Sequence, residues 1–239
     1  MSNIFFKIFF IFFLFACADT SLIVSEERDE IFPENQKLII NEKAASENFD
    51  LGPEISNTKF THLGFNKSRS GGHLSGPKSN LKKVWSKDIG KGTNKNSPVM
   101  PNLIGKNDFI YTMDTTGKLT SLNIKNGKVI WSVKISDRES SYSASSGVLS
   151  IFNNNLYVQL GGQNLVALDS ITGERLWEKS FNVPIISGPT SNDKGVFITL
   201  IDGTLKFLLE ENGELIWERK VISNINDVMS TASISVNKD

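Results

Sequence analysis

Cysteine is nearly absent from this chain. Its 239 residues hold one, Cys17, so no disulfide can form within it. Histidine is scarce as well. His62 and His73 are the whole supply, too few for a His-based metal cluster. Neither sign of charge dominates: 26 Lys and Arg stand against 26 Asp and Glu, which gives no ground for nucleic acid as a partner. No apolar run reaches the roughly 20 residues that a spanning helix needs. Gly90-Lys91-Gly92-Thr93 lacks the spacing of a phosphate-binding loop, and no heme-attachment pattern occurs. With His62 and His73 both outside the repeated part of the chain, no Ser/His/Asp set can be drawn.

What is present is a repeat. SLNIKNGKVIWSVKI (Ser121 to Ile135) returns as ALDSITGERLWEKSF (Ala167 to Phe181) and, more loosely, as FLLEENGELIWERKV (Phe207 to Val221). In each copy a Trp follows a Gly by four residues: Gly127/Trp131, Gly173/Trp177, Gly213/Trp217. A Leu stands nine residues before each Trp (Leu122, Leu168, Leu208), and an aromatic twenty before (Tyr111, Tyr157, Phe197). A period of about 40–46 residues is the mark of a propeller blade. Within each period, four short runs of strand length are broken by Asn, Asp, Gly and Lys. Asn126-Gly127, Thr172-Gly173 and Asn212-Gly213 supply the positive φ of a tight hairpin between the third and fourth strands. Each Trp then lies at a fixed height on the outer strand, where a large indole can cover the seam to the next blade.

The class that follows is all-β, a β-propeller of four-stranded antiparallel blades. About three blades are complete, with partial ones at either side, so the ring is incomplete. LKKVWSKDI (Leu81 to Ile89) reads as a lone last strand carrying Trp85, and STASISV (Ser230 to Val236) as the opening strand of a further blade. The incomplete ring points to a C-terminally truncated sequence, with closure by a partner chain or an open arc as the alternatives. Asp114, Asp169 and Asp202, one per repeat, fall at strand ends, where Asp is a hairpin device. No residue is assigned as catalytic, cofactor-binding or metal-binding.

Ahead of the repeats the composition changes. Residues 1–17 pair a positive charge at Lys7 with a short apolar run from Ile8 to Ala16, the layout of a secretory signal. Leu14-Phe15-Ala16-Cys17 resembles a bacterial lipobox, which implies lipidation at Cys17, and Ala18 after it resembles lipoproteins bound for the outer membrane. Residues 18–80 carry no sustained period and read as a tether and loop-rich approach, with a short ordered piece near Leu38 to Ile40. The propeller then occupies 81–239.

ALDSITGERLW carries the Ala, Asp, Gly and Trp of the docking motif of pyrroloquinoline-quinone-type propeller repeats. With the lipobox, the VWSKDIG opening and the SPV strand, the chain resembles the BamB family of outer-membrane β-barrel assembly lipoproteins. That resemblance implies a non-catalytic scaffold, lipid-anchored on the periplasmic face of the outer membrane, without a cofactor. Its implied partners are the barrel-assembly protein BamA with its complex, and unfolded outer membrane proteins. Partner contact in the family maps to the loop counterpart of Ile222 to Met229, with Ile225, Val228 and Met229 as apolar tips. The alternative is a periplasmic propeller with quinone-dependent dehydrogenase or ligand-sensing activity, because dehydrogenases share the repeat.

Overall fold

Runs of β-branched and aromatic residues cut by Asn, Asp and Gly fold here into antiparallel meanders. The computed structural model describes residues 50–56, 58–76, 80–92, 103–135, 148–160, 162–220 and 233–237, together with Glu42. The chain divides into two compact units after Phe49, and all the described residues except Glu42 belong to the second, Asp50–Asp239. The signal region with Cys17, the piece at Leu38 to Ile40 and the loop bearing Ile225, Val228 and Met229 lie outside the described residues.

A two-residue strand, β1 (Lys59–Phe60), precedes three meanders of four strands each. The first meander runs β2 (Leu103–Lys106), β3 (Phe109–Met113), β4 (Lys118–Asn123) and β5 (Val129–Lys134). The second runs β6 (Leu149–Phe152), β7 (Asn155–Leu160), β8 (Asn164–Asp169) and β9 (Arg175–Ser180). The third runs β10 (Thr190–Ser191), β11 (Gly195–Thr199), β12 (Thr204–Leu209) and β13 (Leu215–Lys220). In every sheet, strand order follows chain order, and β1 joins the first as a fifth strand beside β2. The inner strands β2, β6 and β10 are neighbours in turn, so the sheets stand around a common inner side as blades. This is the β-propeller arrangement that the period implies.

The core lies between blades. One cluster joins Ile104, Tyr111 and Leu119 of the first blade to Leu149, Leu156, Val158, Val166 and Leu168 of the second. Another joins Tyr157, Leu165, Ala167 and Trp177 of the second to Val196, Ile198 and Leu208 of the third. Successive residues of a strand face opposite sides of the sheet. Leu156 and Val158 therefore serve one seam and Tyr157 the other, and the middle blade is buried on both faces. That is why β8 reads LVAL, an unbroken apolar run in place of alternation.

Three boundaries differ from the sequence reading. Residues 58–76, assigned above to the approach, lie in the same compact unit as the blades and contribute β1, so the propeller unit begins well before Leu81. Leu81 to Ile89 forms no strand among the described residues. A strand exists only where a neighbour completes its ladder, and Leu81 and Val84 are more than four-fifths exposed. Residues 233–236, within the expected opening strand, are likewise unassigned. They bond instead to 67–69 and 188–190.

Candidate functional site

The repeat's invariants meet in rows that cross each sheet. Register places Tyr111, Ser121 and Trp131 side by side on β3, β4 and β5. Tyr157, Ala167 and Trp177 share a row in the second blade, and Phe197, Phe207 and Trp217 in the third. The interval of twenty residues is thus two strand crossings. The outer rings of these rows lie 6.0 Å apart in the first blade, 5.8 Å in the second and 6.1 Å in the third, within the contact range of aromatic pairs. Directly after each middle residue the register slips, at Ser121/Leu122, Ala167/Leu168 and Phe207/Leu208. This bulge adds one residue to the outer strand and re-aims it. It also explains the interval of nine: Leu122, Leu168 and Leu208 turn to the far side of the sheet and are almost fully buried.

Two of these indoles then reach the following repeat. The Trp131 indole lies on Gly173, where an added Cβ would stand 2.7 Å from the ring, and the Trp177 indole lies on Gly213, again at 2.7 Å. Trp131 Nε1 donates to the Ser170 carbonyl at 3.0 Å, and Trp177 Nε1 to the Glu210 carbonyl at 2.9 Å. Trp85 does the same one step earlier. Its ring covers Gly127, and its Nε1 donates to the Ile124 carbonyl at 2.8 Å. A segment that forms no strand among the described residues therefore still places its Trp where a preceding blade would. The hairpin Gly has two duties, of which sequence reasoning found one. Its φ of +79° at Gly173 closes the turn, and its bare Cα receives the indole of the repeat before. The second duty had a legible signal, since every Gly in the series follows a Trp of the repeat before it, Gly127 and Gly173 by 42 residues and Gly213 by 36.

The aspartates are structural. Asp169 Oδ1 accepts from the Ile171 and Thr172 amides, both at 2.8 Å, and so caps the hairpin that holds Gly173. Asp202 Oδ1 accepts from the Thr204 amide in the turn between β11 and β12. Asp114 accepts from the amides of Thr116 and Lys118 and, through Oδ2, from that of Lys91, which fastens residues 90–91 to the first blade. Burial works to raise the Asp114 carboxyl, but these donors together hold it below the usual carboxylate range. A cleft of about 300 Å³ between the second and third repeats is lined by Phe181, Leu200, Asp202 and an ion pair of Lys206 with Glu218. Its lysine is thereby already paired with a carboxylate.

The two histidines part company. His73 is a loop residue whose Nδ1 lies 2.9 Å from the Gly52 carbonyl. His62, placed outside the repeats by its sequence position, is 1% exposed and sits among them. Residues 59–62 run along the inner strands. Lys59 and Phe60 pair with β2, the Thr61 carbonyl accepts from the Ile151 amide, and His62 bridges Ser150 on β6. His62 Nε2 accepts from the Ser191 amide of β10 at 3.2 Å. That leaves the proton on Nδ1, 2.9 Å from Thr61 Oγ1. Burial lowers its pKa to about 4, Arg69 and Lys67 add to the lowering, and a backbone interaction with Ser191 opposes it. Nothing in a sequence without period could have marked this residue.

Four-stranded blades locked by tryptophan-on-glycine docking define a β-propeller of the pyrroloquinoline-quinone-type repeat class. The family model described as outer membrane protein assembly factor BamB matches residues 70–145 and 140–239, and the chain belongs to that family. It is 27% identical over 115 residues to the BamB of Salmonella typhimurium, a match covering 46% of this chain and 29% of that protein. An uncharacterised Rickettsia prowazekii protein is 28% identical over 126 residues, 52% of this chain and 30% of that one. The matches thus span about a third of these relatives' own length. Among solved structures, the quinohemoprotein alcohol dehydrogenase of Comamonas testosteroni has the same fold. Its TM-score is 0.55 at 16% identity, over 68% of this chain and 27% of that one.

Proposed function

We propose that this chain serves as a non-catalytic scaffold in the assembly of outer membrane β-barrel proteins, anchored by lipid at Cys17 to the periplasmic face of the outer membrane. The observation that carries the reading is the family match over the repeats. The disposition of their acidic groups supports it: Asp114, Asp169 and Asp202 are committed to holding turns. Blades joined by docked indoles make a stiff body, and the loops between strands make its contact faces. A lipid anchor and a tether hold such a body near the membrane, which raises the effective concentration of whatever it binds there. The partners are the barrel-assembly protein BamA with its complex, and unfolded outer membrane proteins. Ile225, Val228 and Met229 are the proposed contact tips.

The test is affinity purification of the full-length protein after gentle solubilisation, alongside Cys17→Ser. Co-purification of the barrel-assembly complex is expected, and Cys17→Ser should leave the membrane fraction. Absence of the complex, or quinone-dependent dye reduction by the purified protein, would overturn the reading.

A further inference from the structure

We propose that residues 59–69 form a releasable strap across the inner side of the propeller, latched by the neutral imidazole of His62 and opened by its protonation. The strap reaches all three blades. β1 pairs with β2, Thr61 and His62 hold β6, and His62 holds β10. At its far end, Arg69 donates from Nη2 to Thr190 Oγ1 at 3.1 Å and from Nε to the Ile234 carbonyl at 3.2 Å, while the Val236 amide donates to the Lys67 carbonyl. The pairing itself is short, two residues of ladder. One fully buried side chain therefore fixes the middle of the strap, where strand pairing alone would be marginal.

That side chain is a poor host for a proton. The charged groups acting on it are Arg69 and Lys67, both cationic. The strands packed against it, β6 and β10, present Ser150, Thr190 and Ser191 and bring no charged side chain. Nor does the stretch 233–236 beyond Arg69 carry a charge. Protonation would set a cation in a closed, positively biased site, whereas in the open strap the same imidazole reaches water and Nε2 is free to take the proton.

The sign follows from linkage. The closed form has the lowered pKa, so the open form binds more protons between its ordinary value, near 6.5, and about 4. The latch is at full strength above that window and is lost as pH falls through it. The opening constant should rise about tenfold per pH unit there. Opening would bare the inner edges of β2 and β6, rows of backbone donors and acceptors that an extended chain can pair with.

The experiment is hydrogen exchange of the full chain between pH 7.5 and 4.5, corrected for intrinsic rates. The Ile151, Ser191 and Val236 amides, which donate to the strap, are followed against Asn123, Asp169 and Leu209 in the hairpins. The strap-bound amides should lose protection by roughly 10- to 100-fold across the range while the hairpin amides hold. His62→Gln keeps an acceptor for Ser191 without a titrating ring and should abolish the slope. A flat profile for the three amides, a fall in parallel with the hairpins, or an unchanged slope in His62→Gln would each overturn the proposal. Should that variant fail to fold, the wild-type profile decides alone.

Discussion

Trp177 and Trp217 occupy the same place in consecutive repeats, yet 8% of the first is exposed and 40% of the second. Their rows, bulges and hairpin glycines correspond residue for residue. The difference is the neighbour: Trp177 lies on Gly213 and bonds Glu210, whereas no described residue receives Trp217. The repeat therefore encodes a knob and a socket but not their union. One blade's Trp becomes core only when the next blade's Gly stands beside it, which is the nearest-neighbour logic of repeat proteins. Trp85 completes the lesson from the other side, because its indole docks on Gly127 without belonging to a sheet.

The third row also departs within the blade. Where the first two have Ser121 and Ala167 between their aromatics, the third has Phe207, stacked on Phe197 at 4.2 Å and set 5.6 Å from Trp217. A continuous aromatic ladder then supports an indole for which no described residue forms a socket. Among the described residues, this contact within the sheet is what Trp217 retains.

The largest effect should separate the two tryptophans. Trp177→Ala should lower stability by about 3–5 kcal/mol, as for other buried large-to-small changes. Trp217→Ala should cost less than half of that, both read from urea midpoints. Equal losses would break the comparison. A smaller effect isolates the socket. Gly173→Ala must bear a left-handed backbone, which costs about 1–2 kcal/mol, and push a methyl into the Trp131 ring. Gly52→Ala has the same sign of φ but meets nothing within 4 Å, so it should show the backbone part alone. If the two match, the indole contact contributes nothing. The smallest effect concerns the hairpin cap. Asp169→Ala should cost about 0.5–1.5 kcal/mol through its lost hydrogen bonds. Leu209→Asp, at the corresponding position of the third repeat, should raise stability by a similar or smaller amount. A loss there would show that the third hairpin has no use for the cap.

Much of this was legible in residue order. The Gly, Leu and Trp intervals each have a local cause: a turn of positive φ, a bulge, and two strand crossings of fixed length. Such causes survive in sequence because they act between residues a few positions or one hairpin apart. The inner strap was not legible. The pairing of His62 with Ser191 spans 129 residues and the bond of Arg69 to Ile234 spans 165, and neither belongs to a periodic pattern. Loop-like composition around them, rich in Gly and Ser, concealed a segment that packs.

By itself, then, the sequence determined the blade: its strand count, its hairpin glycines, its rows and the knob on its outer strand. Tertiary structure alone decided which knobs are buried, that Trp85 docks without a sheet, and that a histidine ahead of the repeats pins their inner side. The physical reason is range. Turn and register preferences are written into neighbouring residues, whereas burial belongs to two surfaces at once and exists only after distant parts of the chain have met.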